Sequence, residues 1–236
     1  MQKIQMTNGV WRFKTKALYR GIKVIDKEKA AKNLHILKEL LDKYNVEFQL
    51  AYGTLLGAVR DKDFISHDED CDLIVLSESK QKFIDLLPLL SKNGFDVVRF
   101  DRRDLLSIMR DGEYIDIYFF RPYVEDLRIS GCDLCPAFLL EKTTDYEFKG
   151  YVFSVPEQYE EFLRFEYGDN WRTPIQWANF EVPKWKRILF TIKDKIKNCL
   201  PDSIYFYLAD KSEKKILDMY WGKVKRYREV KQTESK

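Results

Sequence analysis

Three aspartates at alternate positions carry the clearest chemical signal in the sequence. Asp68, Asp70 and Asp72 lead into the apolar run CDLIVL, so on an extended backbone their side chains would share one face. Carboxylates this close repel one another and raise each other's pKa unless a cation lies between them. Mg²⁺ or Mn²⁺ suits such ligands, bound through one or two carboxylates and substrate phosphate oxygens. The pattern therefore favours a metal site over the alternative, a solvated acidic loop.

A fourth aspartate, Asp116, lies within the apolar run YIDIYFF. Strand alternation would place it on one face with Tyr114 and Tyr118. A carboxylate in so apolar a strand is costly unless it is paired or binds a metal. We expect Asp116 to supply a further metal ligand, or the base that takes a proton from an incoming hydroxyl. The alternative is an edge-strand side chain in water.

The segment before the aspartates has the features of a phosphate site. Gly53 and Thr54 stand at a predicted change from strand to helix. Glycine permits a close approach there, and Thr54 as N-cap would begin a helix whose free N–H groups bind phosphate. Arg60 would add a guanidinium clamp. His67 is a candidate phosphate or substrate contact, with a structural role as an equal alternative.

The surrounding sequence predicts the elements that must position these residues. Strands are predicted over 46–52, 71–76, 95–100, 105–110 and 114–120, with a hairpin around Lys149-Gly150. Helices are predicted over 26–44, over 79–94 with Pro88 as a kink, and from Pro156 to Gly168. The fold class is α+β: a mixed sheet flanked by helices, with a helical C-terminal appendage.

Composition narrows the classes of protein. The 236 residues are 45% apolar and 15% aromatic, enough for a well-packed core. No apolar run reaches the roughly 18 residues that a membrane span needs, and the first residues show no leader pattern, so a cytoplasmic location is expected. Cys132 and Cys135 form a C-x-x-C pair, but with only His35 and His67 elsewhere they make a poor zinc site, and structural thiols are expected.

The C-terminal part of the chain is strongly basic. After residue 183, lysine and arginine outnumber acidic residues about two to one, whereas the rest of the chain is net acidic. An apolar stripe runs through Trp185, Ile188, Leu189, Ile192 and Ile196. Such a helix could lie on the anionic inner face of a membrane, although packing on the catalytic part is the favoured alternative. Nucleic-acid binding is not favoured, because interleaved exposed aromatics are missing from the tail.

These residues resemble known families. Gly53-Thr54, then Asp70-x-Asp72 and a third aspartate on a later strand, resemble the DNA polymerase β-like nucleotidyltransferase superfamily. More narrowly, GTLLGAVR with FI-x-x-D-x-D-x-D resembles the LicD family, which includes bacterial phosphocholine transferases and, distantly, fukutin and fukutin-related protein. A second LicD-like element is Pro156 followed by YG-x-x-W-x-x-P over 167–174. His67, Glu69 and Cys71 depart from the residues common in relatives, which bears on substrate choice.

The resemblance, which spans roughly residues 30–175, implies a catalytic nucleotidyltransferase-like domain over 1–180 and an appendage over 181–236. It implies a metal-dependent transferase that moves a phosphocholine, ribitol-phosphate or glycerol-phosphate group from a CDP-linked donor to a surface glycan or lipid-linked glycan, releasing CMP. Asp70 and Asp72 would hold the metal with Asp68 beside them, and Asp116 would complete the site or activate the acceptor. Donor phosphates would meet Gly53, Thr54 and Arg60. Tyr167 and Trp171 are pocket candidates, with packing as their alternative.

Two other functions are open at this point. A nucleotidyltransferase that attaches NMP to a small molecule or RNA would use the same carboxylates but release pyrophosphate. A non-catalytic binding module is the second alternative. Against it, Asp68, Asp70, Asp72 and Asp116 are all present.

Overall fold

A computed structural model of the chain describes residues 1–16, 18, 23–174, 183, 185, 188–189, 192, 196 and 199–234. Its strands are β1 (Gln2–Met6), β2 (Gly9–Phe13), β3 (Gln49–Leu50), β4 (Asp70–Leu76), β5 (Asp96–Asp101), β6 (Leu105–Arg110), β7 (Glu113–Pro122), β8 (Leu127–Ser130), β9 (Asp133–Pro136), β10 (Thr143–Phe148) and β11 (Tyr151–Pro156). Its helices are α1 (Lys27–Lys43), α2 (Tyr52–Arg60), α3 (Ser77–Asp85), α4 (Leu87–Lys92), α5 (Tyr159–Tyr167) and α6 (Asp202–Glu234), with a short 3₁₀ turn at Ala137–Leu139.

The centre of the molecule is a seven-stranded mixed sheet. Its main path runs β3-β4-β7-β6-β5, and β8 and β9 extend it from β7. Strands β4 and β7 are parallel neighbours, whereas the other pairs are antiparallel. The middle of β4 is buried on both faces, as a nearly continuous apolar run predicts. The predicted α+β class, with a mixed sheet flanked by helices and a C-terminal helix, is confirmed.

Helices cover the sheet because their apolar residues recur on one face. In α1, Ala30, Leu34, Leu37 and Leu41 are buried, and the Asp26 side chain caps the first turn by accepting from the Lys29 N–H at 3.2 Å. The helix predicted over 79–94 is divided at Leu86, with Pro88 in the first turn of α4. Proline there replaces an N–H that would have no partner, which explains the break.

Two predicted elements begin or end at different residues in the structure. The strand predicted over 46–52 pairs with β4 only at Gln49 and Leu50, because the chain turns into α2 at Tyr52. The helix predicted from Pro156 begins at Tyr159, since Pro156 still pairs with Thr143 at the end of the β10–β11 hairpin. The predicted end at Gly168 is confirmed by its φ of +85°.

The last helix, α6, packs on the body of the molecule. Tyr205 donates to Asp101 at 2.6 Å and Arg228 pairs with Glu125 at 2.8 Å. Between α5 and α6, the apolar stripe predicted in the tail is described at Trp185, Ile188, Leu189, Ile192 and Ile196, which are helical and exposed. The lysines and the arginine of this stretch lie outside the described residues. No helix within the described residues has the length and apolarity that a membrane crossing requires. The division at residue 180 stays a prediction.

Candidate active site

A cleft of about 830 Å³ opens beside the start of α2 and the start of β4. Eight of the residues predicted for a site line it: Gly53, Arg60, His67, Asp68, Asp70, Asp72, Tyr167 and Trp171. Thr54 and Asp116 are buried and do not line it. The structure therefore brings most of the predicted site together around one cavity.

Reciprocal hydrogen bonds fix the start of α2 to β4. The Gly53 N–H donates to Oδ2 of Asp72 at 3.0 Å, and the Asp72 N–H donates to Oγ1 of Thr54 at 2.8 Å. The predicted N-cap role of Thr54 is therefore wrong. Ala51 occupies the N-cap position, and the Thr54 hydroxyl instead accepts from the strand. One N–H of the first helical turn thus already faces a negatively charged oxygen, as expected at a helix N-terminus.

Glycine at position 53 is required by close packing. A Cβ atom there would lie 2.4 Å from Oδ2 of Asp68 and 3.2 Å from Oδ2 of Asp72. The first distance is too short for any side chain, so a larger residue would push the carboxylate away. Gly53 thereby lets two of the aspartates approach the same helix start.

The three aspartates crowd one another in a poorly solvated place. Burial, followed by the charges of Asp72, Asp116 and Asp68, raises the pKa of Asp70 to about 10. Burial also raises the pKa of Asp68, and burial with the charges of Asp68 and Asp116 raises that of Asp72. Within the described residues, none of the three forms an ion pair with a lysine, arginine or histidine. The cleft therefore has a concentrated negative end that a cation would relieve.

Asp116 belongs to the same sheet region but has its own partners. It pairs in register with Asp72 across the parallel strands β4 and β7. Its carboxylate forms an ion pair with Arg99 and accepts a hydrogen bond from Ser107, and it is 3% exposed. The alternative of an edge-strand aspartate in water is wrong, because β7 lies between β4 and β6. Both oxygens of Asp116 are engaged within the protein.

The two side chains predicted to contact phosphate, Arg60 and His67, have different surroundings. Nε and Nη2 of Arg60 donate to the two carboxylate oxygens of Asp61 at 2.7 and 2.8 Å, so this guanidinium already has an anionic partner. His67 is exposed at the edge of the cleft. Arg60 would have to leave Asp61 to form the predicted clamp.

Aromatic side chains form much of the remaining wall. Tyr167 is 43% exposed and Trp171 is 5% exposed, and both line the cleft at the end of α5. Tyr52 and Tyr118 also line it, with ring centroids 4.8 Å apart. Tyr118 shares a strand face with Asp116, so strand alternation was its signal in the sequence. These rings offer flat apolar surfaces for a base, a sugar or an alkyl head group.

A family model for the LicD/FKTN/FKRP nucleotidyltransferase domain matches residues 45–181, which contain all the predicted site residues. The chain belongs to this family. Among curated relatives it is 26% identical over 166 residues to an uncharacterised protein of Rickettsia typhi, covering 69% of this chain and 49% of that protein. It is also 29% identical over 175 residues to the human ribitol-5-phosphate transferase FKTN, covering 67% of this chain and 36% of that one.

A shorter similarity involves a bacterial LicD protein. The lipopolysaccharide cholinephosphotransferase LicD of Haemophilus influenzae is 38% identical over 47 residues, which is 20% of this chain and 18% of that protein. The chain thus spans half the length or less of these curated relatives. Among solved structures, ANT(2")-Ia in complex with adenylyl-2"-tobramycin is 15% identical, the match covers 84% of this chain and 99% of that one, and the TM-score is 0.47.

The cleft also contains residues that the sequence patterns of the LicD family did not single out. Asp133 on β9 and Glu166 at the end of α5 are buried carboxylates. Burial raises the pKa of Glu166 to about 7, although the Lys223 ammonium, 2.6 Å away, opposes this. Tyr220 and Lys223 come from α6, beyond the matched residues. Of these residues, only Glu166 lies next to a sequence motif, because it directly precedes Tyr167 in the second LicD-like element.

The oxygen ligands in the cleft are partly suited to a hard divalent cation. Asp68, Asp70 and Asp72 supply carboxylate oxygens at one end of the cleft, with raised pKa values that a cation would lower. Within the described part of the chain, however, no three acidic, histidine or cysteine side chains are arranged as a ready metal site. Mg²⁺ does not require such a cage, because one or two carboxylates with substrate phosphate oxygens suffice. Asp70 and Asp72 fit that arrangement, whereas Asp116 would have to leave Arg99.

Proposed function

We propose that this LicD-family chain is a metal-dependent transferase of a substituted phosphate group. The donor would be a CDP-linked alcohol of the choline, ribitol or glycerol type, the acceptor a glycan or lipid-linked glycan, and the second product CMP. The observation that carries this proposal is that the half-buried Asp68 and Asp70 and the buried Asp72 have no cationic partner in the described structure, next to the start of α2 in an aromatic cleft. The names of the relatives LicD and FKTN support the class of reaction.

The residues present have definite roles in this proposal. Asp70 and Asp72 would hold Mg²⁺ or Mn²⁺, with Asp68 beside them. When bound, the cation neutralises charge on the transferred phosphate. Gly53 keeps the start of α2 close to these carboxylates, and its N–H donates to Asp72, so a contact of this N–H with a donor phosphate would require it to leave Asp72. Tyr167 and Trp171 would hold the base or head group and exclude water.

The role proposed for Asp116 is narrower than that of the other aspartates. Arg99 and Ser107 each occupy one of its two oxygens, which makes Asp116 a less available proton acceptor than a carboxylate without such partners. It would add negative charge beside Asp72 and hold Arg99 in the sheet. Direct metal binding by Asp116 would require the Arg99 pair to open.

Product identity tests the proposal. The full chain would be incubated with Mg²⁺, CDP-choline, CDP-ribitol or CDP-glycerol, and a glycan acceptor, and nucleotides separated by chromatography. CMP that requires both acceptor and metal would support the proposal. Release of pyrophosphate from CTP or ATP, without CMP from any CDP-alcohol, would favour the nucleotidyltransferase alternative. No turnover of either kind would favour a binding module.

Asp145 provides a matched control for this assay. It lies exposed on β10, away from the cleft, and has no ion pair among the described residues. Asp145→Asn makes the same chemical change as Asp70→Asn and should leave CMP release unchanged. Equal activity of Asp70→Asn, Asp145→Asn and the unchanged chain would contradict the proposed site.

Membrane contact by the tail is a separate part of the proposal. Ile188, Leu189, Ile192 and Ile196 are exposed at helical spacing in a basic stretch, which suits an anionic lipid surface that presents a lipid-linked acceptor. Ile188→Ser with Ile192→Ser should weaken co-sedimentation with vesicles that contain phosphatidylglycerol. Equal sedimentation of the double variant and the unchanged chain would rule this contact out.

A further inference from the structure

Helix α6 forms one wall of the cleft, although it lies beyond the residues that the family model matches. Met219, Tyr220, Lys223 and Arg226 line the cavity together with the aspartates. Their spacing of one, three and three residues places them on one side of the helix. The last helix is thus part of the cavity that holds the candidate active site.

Contacts along its length hold α6 in this position. Near its start Tyr205 donates to Asp101, in its middle Arg103 pairs with Glu213 at 2.5 Å, and further on Arg228 pairs with Glu125. Ion pairs distributed over several turns fix both the rotation and the position of a helix. The residues of α6 that face the cleft are therefore presented in a defined orientation.

The two cationic residues on this wall differ in their partners. The Lys223 ammonium donates to the buried Glu166 carboxylate at 2.6 Å, so the protein itself neutralises its charge. Arg226 is exposed and, among the described residues, forms no hydrogen bond or ion pair. Arg60, the other guanidinium of the cleft, is engaged by Asp61. Of the lysines and arginines lining the described cavity, Arg226 is therefore the one without an acidic partner.

We infer that Arg226 is a binding residue for a phosphate of the nucleotide diphosphate donor, and that α6 belongs to the active site. This inference rests on the proposed function. A guanidinium offers a planar set of donors that matches two phosphate oxygens. The two phosphates of such a donor carry one negative charge each, and the carboxylates of Asp70 and Asp72 add theirs when they hold the cation, so one divalent ion leaves an excess of negative charge that a second cationic contact in the cleft would reduce. Lys223 and Arg60 are committed elsewhere, which leaves this contact to Arg226.

Binding of three probes to the full chain separates this contact from other effects. Cytidine, CMP and CDP, each with Mg²⁺, would be titrated by calorimetry into the unchanged chain, Arg226→Ala, Arg226→Lys and Lys225→Ala. Lys225 is the matched control, because it is the exposed neighbouring cation on the same helix but does not line the cleft. Arg226→Ala should weaken CDP binding by about tenfold or more, the loss of one charged hydrogen-bonded contact, and should leave cytidine binding unchanged. Arg226→Lys should restore part of the loss.

Three results would overturn the inference in distinguishable ways. CDP binding that is equal in Arg226→Ala and the unchanged chain would show that this guanidinium does not contact phosphate. Equal losses in Arg226→Ala and Lys225→Ala would show a general effect of positive charge instead of a contact in the cleft. Failure of the unchanged chain to bind CDP would overturn the proposed donor itself, and the inference with it.

Discussion

Two aspartates seven residues apart show how differently this chain treats its carboxylates. Asp63 forms ion pairs with Lys27 and Lys149, and although burial opposes them, these pairs lower its pKa to about 2. Asp70 is buried beside other aspartates, and its pKa is raised to about 10. Asp63 thus supports the fold, and its two lysine partners come from α1 and from the turn between β10 and β11. The cluster around Asp70 has no lysine or arginine partner in the described structure, which is what the proposed cation site requires.

The largest expected difference between variants of the Asp70 cluster and a variant of Asp63 is in turnover. Asp70→Asn or Asp72→Asn should reduce CMP release by about a thousandfold or more, because a cation at the reacting phosphate supplies several kcal/mol of stabilisation. Asp63→Asn should leave turnover within about twofold, since Asp63 lies outside the cleft. Initial rates at saturating donor would measure both. A similar loss in all three variants would remove the distinction between the two carboxylate regions.

A second effect concerns stability and separates Asp116 from Asp70. Asp116→Asn should lower the free energy of unfolding by about 2–3 kcal/mol, because the half-buried Arg99 on the edge strand β5 would lose its counter-charge. Asp70→Asn should leave stability unchanged or increase it, because asparagine avoids the cost of keeping this carboxyl group protonated in the folded chain. Urea unfolding in the presence of EDTA would compare the two. If both variants lost the same stability, the partners described for Asp116 would not account for its role.

A third effect is the pH dependence of stability without divalent ions. Asp70 has a folded-state pKa of about 10 against 3.8 ordinarily, so between these values the folded chain holds a proton that the unfolded chain releases. Its contribution therefore favours folding at low pH and is lost as pH rises. Asp63, with a pKa of about 2, behaves in the opposite way: its stabilisation is present above about pH 4 and is lost as pH falls toward 2.

Unfolding measured from pH 5 to 9 would test the Asp70 part of this prediction. Asp70→Asn should flatten the decline in stability toward high pH, whereas Asp63→Asn should alter only the acid side. A slope between pH 5 and 9 that is identical in both variants and the unchanged chain would contradict the raised pKa of Asp70.

Local spacing explains what the sequence could predict. Asp68, Asp70 and Asp72 lie within five residues, and the alternation of a single strand is enough to bring them together. Gly53 stands at an element boundary that a strand-to-helix change makes visible. Asp116 was expected on a strand near these aspartates, but the parallel register that places it beside Asp72 is known only from the structure.

Partners that lie far apart in the chain could not be predicted in this way. Arg99 on β5 reaches Asp116 on β7 across the intervening strand β6, and Lys223 meets Glu166 from a helix 57 residues further on. Neither cation has a pattern around it that indicates its partner. The N-terminal hairpin of β1 and β2 was missed for another reason: the Asn8-Gly9 turn signal is local, but the flanking runs are short and polar.

Binding of Mn²⁺ tests the central claim most directly, because it requires neither donor nor acceptor to be known. Electron paramagnetic resonance of free Mn²⁺ would be recorded while the full chain, Asp70→Asn, Asp72→Asn and Asp63→Asn are titrated. CMP or CDP would be present to supply phosphate oxygens. Under these conditions the full chain and Asp63→Asn should decrease the signal of free Mn²⁺ in proportion to the protein added. Asp70→Asn and Asp72→Asn should leave this signal unchanged. Equal binding by all four proteins, or binding by none of them, would contradict a cation site at these aspartates.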